Sequence, residues 1–358
     1  MKEEMRADEA LFRNIGLVAP GTVLYEGLEN ILKARTGALI VISDAEDVLG
    51  LVNGGFKIDA ELNPASLYEL AKMDGAIVLS TDGRRILYAN TQLTPDPMIP
   101  SFETGTRHRT AERVARQTNQ LVISISQRRN IITMYQGSTK FVMRDVSVIL
   151  AKANQALSTL EKYKSVFEQA LTNLSALEFE DFATLFDVAT VIQRGQMVFR
   201  IAREIERYVV QLGSEGRLVN MQLEELMVAI EDEGLLVTKD YLTHEDATTS
   251  AIWNDIAGWD SEDLLNLNAI TKALGYAPTA SGLDQSVTPK GYRVLKKIPR
   301  LPMPVIENLV KSCGSLTAIV DASIEELDEV EGIGAVRARA IKEGLRRLRE
   351  QVLLDRHL

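Results

Sequence analysis

The chain has 358 residues and a mass of 39.7 kDa, with 46% hydrophobic and 25% charged residues. These values exclude wholesale disorder, a collagen-like repeat and a disulfide scaffold, and they leave room for two or three domains. The net charge of −10 is uneven: Val287 onward holds 13 basic and 10 acidic residues, a surplus of +3, so that end is the one suited to a polyanion.

One cysteine, Cys313, points to a reducing compartment, and three histidines (His108, His244 and His357) beside it all but exclude a Cys/His zinc site. No apolar run approaches the roughly 20 residues of a membrane span. The charged start, Met1-Lys2-Glu3-Glu4-Met5, has no apolar stretch of a leader. The expectation is a cytoplasmic protein with no membrane partner.

Prolines divide the chain. Five lie at or before Pro100, five at or after Pro278, and none lies between. The first zone, 1–143, alternates strand and helix signals. Gly37–Ser43 is a buried strand, and Ala65–Lys72 is a helix opened by Pro64. Gly75–Thr81 and Arg84–Asn90 form a hairpin around Asp82-Gly83. Thr110–Asn119 reads as a helix, and Leu121–Ser126 and Ile131–Tyr135 as strands turned at Arg128-Arg129-Asn130. Asn53-Gly54-Gly55-Phe56 reads as a turn.

The second zone, 144–285, is helical. Val146, Leu150, Ala153, Leu157, Leu160, Phe167, Leu171 and Leu174 recur every three or four residues, which predicts a long helix over Arg144–Leu177. That stripe is either an ordinary core face or a coiled-coil spacer. Further helices are expected at Asp187–Gln211 and Leu223–Asp232. The fold class is therefore multidomain α+β: a mixed sheet flanked by helices, a central helical bundle, and a third zone, 286–358, of short helices.

That third zone carries a helix-hairpin-helix spacing. One helix ends near Val330, Gly332 and Gly334 permit a tight turn, Ile333 plugs the core, and a second helix begins near Ala335. Its free amides suit a phosphate, with Arg337 and Arg339 in the first turns, a pattern that reads DNA backbone rather than base sequence. The alternative is a purely structural hairpin. Leu295–Val310 looks like a degenerate second copy, with Leu301 and prolines in the turn; Lys296, Lys297 and Arg300 are its cations.

Two N-terminal clusters carry chemistry. Met73-Asp74-Gly75-Ala76 sets a carboxylate and a glycine at the start of an apolar strand, where ligands commonly sit. Gly105-Thr106-Arg107-His108-Arg109-Thr110 brings hydroxyls, guanidinium forks and helix amides together, which suits a triphosphate. A strand-end turn and a solvated helix start are the plainer alternatives. No Walker-type phosphate loop is present.

The segments LYELAKMDGAIVLS, ILYANTQL, ETGTRHRTAERVARQT and LVISISQRRN resemble the diadenylate cyclase domain. With the helical middle and the hairpin motif, the whole chain is similar to the bacterial DNA integrity scanning family. One departure is Gln127, where members often have Glu in a Ser-Glu-Arg-Arg stretch. The resemblance implies condensation of two ATP molecules into cyclic di-AMP with release of two pyrophosphates, across facing cyclase domains of an octamer. It implies that Asp74 activates the 3′-hydroxyl and holds Mg2+ or Mn2+. Gly75 admits the nucleotide, Leu93 lines the adenine side, Thr106, Arg107, His108, Arg109 and Thr110 hold phosphates, and Arg128 is a further phosphate contact. Branched DNA is the implied partner, lowering cyclase output as a DNA-integrity checkpoint. A nucleotide-sensing DNA-binding scaffold or repair accessory is the alternative; a hydrolytic ATPase lacks a residue placed to orient water.

Overall fold

In the computed structural model, which describes residues 12, 14–228, 230–243, 248–277 and 282–355, the apolar run after Gly37 forms β1 (Ala38–Ile42), with all five residues buried. The charged start at Met1–Met5, His244, Pro278, Arg356 and His357 lie outside the described residues. The sheet continues with β2 (Val52–Asn53), β3 (Phe56–Glu61), β4 (Ala76–Leu79), β5 (Arg85–Leu93), β6 (Leu121–Ser126), β7 (Ile131–Gln136) and β8 (Thr139–Val142). Its order is β2-β5-β4-β1-β6-β7-β8, with β3 also on β5. β1 and β4 run parallel and the other pairs antiparallel, so the expected mixed sheet is present.

β1 is continuously apolar because helices cover both of its faces. Ala38, Ile40 and Ile42 pack with Leu24, Leu28 and Ile31 of α1 (Val23–Lys33) and Leu67 and Ala71 of α2 (Pro64–Ala71). Leu39 and Val41, pointing the other way, meet Ala111, Val114 and Ala115 of α3 (Thr106–Thr118). The Asp82-Gly83 hairpin forms as expected, with Gly83 at φ +68° and Asp82 accepting from the Arg84 amide at 3.1 Å. Asn53 to Phe56 is also a turn, with Gly54 and Gly55 at positive φ, and it splits β2 from β3 along the same edge of β5.

Past the sheet, α4 (Val146–Glu180) is a single helix of 35 residues, about 50 Å at 1.5 Å per residue. It is followed by α5 (Leu185–Leu212), α6 (Arg217–Met227) and α7 (Ile230–Tyr241). The helix expected over Leu223–Asp232 is thus the end of one helix and the start of another. The chain forms two compact units, Met1–Gln155 with Ile205–Met221, and Ala156–Glu204 with Gln222–Leu358. Among the described residues no helix is long and apolar enough to cross a membrane.

The C-terminal helices α8 (Tyr292–Lys296), α9 (Met303–Cys313), α10 (Ile324–Asp328) and α11 (Ala335–Asp355) share a core that includes Leu295, Ile306, Leu309, Leu327 and Ile341. Its two hairpins correspond position by position. Leu301 and Ile333 are both buried plugs, and Arg300 and Gly332 precede them at φ +63° and +83°. The degenerate copy therefore keeps the turn shape with a non-glycine residue in the left-handed region. It carries Pro302 where the other hairpin has Gly334, and so lacks one amide donor.

Candidate functional site

Strand register gathers the first cluster. Ala38 opposes Ile125, and Leu39 lies beside Ala76. Hence the residue before β1 (Gly37), those before β4 (Asp74 and Gly75) and the turn after β6 (127–130) share one end of the sheet. The first turn of α3 reaches that end: Arg107 Nη2 lies 3.3 Å from Asp74 Oδ1. Asp74 itself is fully exposed, with a side-chain exposure of 101%, so its carboxylate is free to take a ligand.

Gly75 is constrained twice. Its φ is +145°, and a Cβ there would sit 2.8 Å from the Asn90 carbonyl carbon. Asn90 is itself at φ +53°, beside a register shift between β4 and β5. Only glycine lets β5 pass this close to the site. Gly37 has a different role. A Cβ there would lie 3.2 Å from the Ile125 carbonyl oxygen and would collide with Arg107 Nη1. Gly37 is the space in which the Arg107 guanidinium sits.

α3 begins at Thr106, four residues before the sequence expectation, so the cluster is helical rather than part of a loop. Its N-cap, Gly105, supplies no side-chain hydrogen bond, and no acid stands in the first turn. The first amides and the positive end of the helix are therefore left for an anion. Thr106 and Arg109 are exposed, while Arg107, His108 and Thr110 are half-buried. His108 Nδ1 is 3.2 Å from Ser124 Oγ, and its buried Nε2 has no partner among the described residues. Burial holds this imidazole below its ordinary pKa range, against an opposing pull from Glu103, which favours the neutral form.

A second set of residues braces that turn. Glu103 accepts from Tyr135 Oη at 2.9 Å and from Lys140 Nζ. Burial raises the Glu103 pKa, but these two bonds outweigh it and leave it below the usual carboxylate range. Glu112, which is buried where Glu103 is half-buried, accepts from Ser101 Oγ and, at 3.1 Å, from the Phe102 amide. The two carboxylates thus pin residues 101–103, the approach to α3. The Tyr135 ring meets His108 edge to face, with centroids 6.4 Å apart.

Leu93 closes β5 at this end of the sheet, but its side chain is buried in the core beside Val52. Arg128 is exposed in the turn after β6. Its neighbour Arg129 is the one whose charge is felt at His108. Gly37, Asn90, Glu103, Arg129 and Tyr135 were not singled out from sequence; of these, only Arg129 stood next to a chosen residue. Among the described residues no group of three or more His, Cys, Asp and Glu is placed to hold a metal ion. A single exposed carboxylate still fits a hard divalent cation when substrate phosphates complete the shell.

An expected result follows for Gly37→Ala. The added methyl displaces the guanidinium head of Arg107, a flexible group, so the fold is kept. If Arg107 holds the phosphates of a nucleotide, as the resemblance implies, losing its charge-assisted bonds of about 1.5–3 kcal/mol weakens ATP binding roughly tenfold or more. Titration calorimetry alongside a melting curve checks this; unchanged affinity would show that Arg107 does not hold the nucleotide.

At the other end of the chain, Gly332 permits the hairpin and Ile333 anchors it. Asn308 Nδ2 braces the turn by donating to the Glu331 carbonyl at 3.1 Å. The Gly334 carbonyl accepts from the Arg337 and Ala338 amides at 2.8 and 2.9 Å, which leaves the amides of Gly334, Ala335 and Val336 pointing out of the helix start. Arg337 folds its guanidinium onto the Gly332 carbonyl, whereas Arg339 is exposed. Gly332→Ala forces a left-handed alanine, costing about 1–2 kcal/mol, and brings its Cβ to 3.2 Å from Val305. A lower unfolding midpoint together with weaker DNA binding is the expected outcome, read by thermal melting and fluorescence anisotropy.

Comparisons with known proteins agree with this geometry. Residues 25–140 match the family described as DisA bacterial checkpoint controller nucleotide-binding, residues 143–283 its linker region, and residues 315–344 the helix-hairpin-helix motif. The DNA integrity scanning protein DisA of Carboxydothermus hydrogenoformans is 61% identical over 345 residues, 96% of this chain and 98% of the relative. Those of Symbiobacterium thermophilum and Clostridium botulinum are 58% and 56% identical, over 95% and 98% of this chain and 96% and 98% of each relative. At this identity over nearly its whole length, the chain belongs to the DisA family of diadenylate cyclases.

Proposed function

We propose that this protein condenses two ATP molecules into cyclic di-AMP, with release of two pyrophosphates, and that DNA held by its C-terminal hairpin governs the rate. The observation that carries the reading is the pairing of Asp74, a fully exposed carboxylate, with Arg107 at 3.3 Å beside the uncapped start of α3. Base, phosphate anchor and helix amides converge on one end of the sheet. In-line phosphoryl transfer asks mainly for such positioning and charge neutralisation.

In this reading Thr106, Arg107, Arg109, Thr110 and the first amides of α3 hold the triphosphate. The orphaned Nε2 of neutral His108 is satisfied by a phosphate oxygen. Gly75 keeps the backbone low where the nucleotide enters, Leu93 stands behind the adenine, and Arg128 adds positive charge from the turn after β6. Asp74 accepts the proton of a 3′-hydroxyl as its oxygen attacks the α-phosphorus of a second ATP. That second ATP is held by a facing subunit, because one site supplies half of a symmetric reaction centre. The family's divalent-metal requirement is met here by Asp74 with Mg2+ or Mn2+, which when bound neutralises phosphate charge.

We assign nucleotide chemistry to 1–143, spacing to 144–285 and DNA binding to 286–358, with Gly332, Gly334, Arg337 and Arg339 at the backbone. Branched DNA as ligand, an octamer of facing cyclase pairs and a place in the cytoplasm and in DNA repair complete the reading. ATP with Mg2+ or Mn2+, followed by chromatography and mass spectrometry, tests the chemistry. A cyclic dinucleotide supports it, unchanged ATP with both ions favours a nucleotide-sensing scaffold, and ADP alone indicates a hydrolase. Junction DNA that binds yet leaves the rate of product formation unchanged would overturn the coupling.

A further inference from the structure

The C-terminal helix holds more free positive charge than the hairpin uses. On α11, Ala338, Ile341 and Leu345 face the core. Arg339, Arg346 and Arg349 stand to one side of that buried stripe, and all three are exposed. Arg339 and Arg346 are seven residues apart, two helical turns, and Arg349 follows one turn later. None of the three makes a hydrogen bond or ion pair among the described residues. Lys342 lies between them, but its ammonium is committed to the Val320 carbonyl.

The acids nearby offset this ridge only in part, three arginines standing against Glu343 and Glu350. Glu343 lies on the same side of the helix and its charge is felt by Arg346, but its carboxylate is hydrogen-bonded to Arg347. Glu326 accepts from the Ser323 amide at 2.7 Å in a capping box. Glu350 is the remaining carboxylate on that side of the helix and is exposed. The ridge also borders a cavity of about 470 Å3 walled by Phe179, Val320, Ile324 and Leu345. Arg339, Arg346 and Arg349 line this cavity together with Lys342 and Glu343, and all three arginines are exposed.

We propose that Arg339, Arg346 and Arg349 form a second track for the phosphate backbone of the DNA held at the hairpin. The proposal rests on the DNA-binding reading above and extends it beyond the hairpin amides. Two features favour a nucleic-acid backbone as the occupant. The ridge is continuous with the hairpin, because Arg339 stands one turn from Ala335, where the helix amides are free. Its length also fits: Arg339 to Arg349 spans about 15 Å of helix, about four nucleotide steps at 3.4 Å each.

Salt dependence of binding provides the test. Each phosphate contact contributes about −0.9 to the slope of log affinity against log salt. The full-length protein and a short fluorescent duplex are titrated at several salt concentrations, with the triple variant Arg339→Gln, Arg346→Gln, Arg349→Gln beside it. Exposed Arg→Gln changes keep the fold, which a melting curve verifies. The expected slope is shallower by about 2–3 for the triple variant and by about 1 for Arg346→Gln alone. Lys311→Gln, an exposed cation on α9 away from the ridge, leaves the slope as it was. If the unsubstituted protein fails to bind the duplex, the DNA reading falls and the ridge with it. If it binds and Arg346→Gln keeps the slope, the ridge alone is overturned; a triple variant that keeps it also removes Arg339 from the hairpin reading.

Discussion

Asp74→Asn is expected to lose about 10²–10⁴-fold in cyclic di-AMP formation, the range for removing a general base, while ATP still binds. The structure separates this from a structural effect. Asp74 is fully exposed, and its one ion pair among the described residues is the direct, solvent-exposed contact to Arg107 at 3.3 Å. An exposed pair of this kind contributes about 0–1 kcal/mol, so the variant melts close to the unsubstituted protein. Loss of turnover with unchanged melting and retained ATP binding assigns Asp74 to chemistry. Turnover that survives the substitution removes Asp74 from the mechanism, and with it the carboxylate contribution to the metal site.

The second large effect is on stability, at Arg293. This residue is completely buried, with Nη2 on Glu178 Oε2 and Nη1 3.0 Å from Ser175 Oγ. Glu178 also accepts from Tyr241 Oη at 2.9 Å. Asp240, buried alongside, closes the start of α8 by accepting from the amides of Gly291, Tyr292 and Arg293 at 2.8, 2.6 and 3.2 Å. Three charged side chains in one dry space are tolerable only as a set. Arg293→Ala leaves Glu178, Asp240 and the half-buried Glu233, 3.8 Å from Nη1, without their cation, and breaking a buried pair in this way costs about 3–5 kcal/mol. Replacing Arg293 and Glu178 together by Met and Leu is expected to recover part of that loss.

The deficit also has a pH sign. Burial, aided by the charge of Glu178, pushes the Asp240 pKa up to about 7, and Arg293 opposes the rise. A carboxyl with a raised folded-state pKa contributes stability below its unfolded pKa and loses it as pH rises through the folded value. Removing Arg293 raises the Asp240 pKa further. The gap in melting temperature between variant and unsubstituted protein should therefore widen from pH 5.5 to pH 8. A gap that narrows over that window would mean that Asp240 is not the group under strain.

Much of the architecture was legible because its signals are local. The all-apolar β1, the Asp82-Gly83 hairpin and the Gly332-Ile333-Gly334 turn each place their residue types within a few positions. The 35-residue α4 sits in a stretch without proline, with glycine absent until Gly195. What was missed lacks that signature. β3 is almost wholly exposed and reads Phe-Lys-Ile-Asp-Ala-Glu, with no clean alternation. The first turn of α3 is Thr-Arg-His-Arg, polar throughout, so apolar periodicity begins only at Ala111, and the expected start falls four residues too late.

The site shows the same limit. Asp74 and the Gly105–Thr110 run stood out by composition, but the groups that shape them are distant in sequence. Gly37 makes room for Arg107 from 70 residues away, and Glu103 meets Tyr135 across 32. Charge counting was misleading at Arg293, one of the 13 C-terminal cations, which faces buried carboxylates rather than a polyanion. Arg337 is folded onto the Gly332 carbonyl of its own hairpin, so its contact with DNA requires that guanidinium to swing out, whereas Arg339 is already open near the helix start.

The most direct measurement of the central claim is product stoichiometry. The protein is incubated with ATP and Mg2+ or Mn2+, and cyclic di-AMP, pyrophosphate, orthophosphate and ADP are quantified together. Two pyrophosphates per cyclic di-AMP, with neither orthophosphate nor ADP in step with turnover, is the predicted result. Orthophosphate and ADP released in equal amounts, with no cyclic dinucleotide, would contradict it.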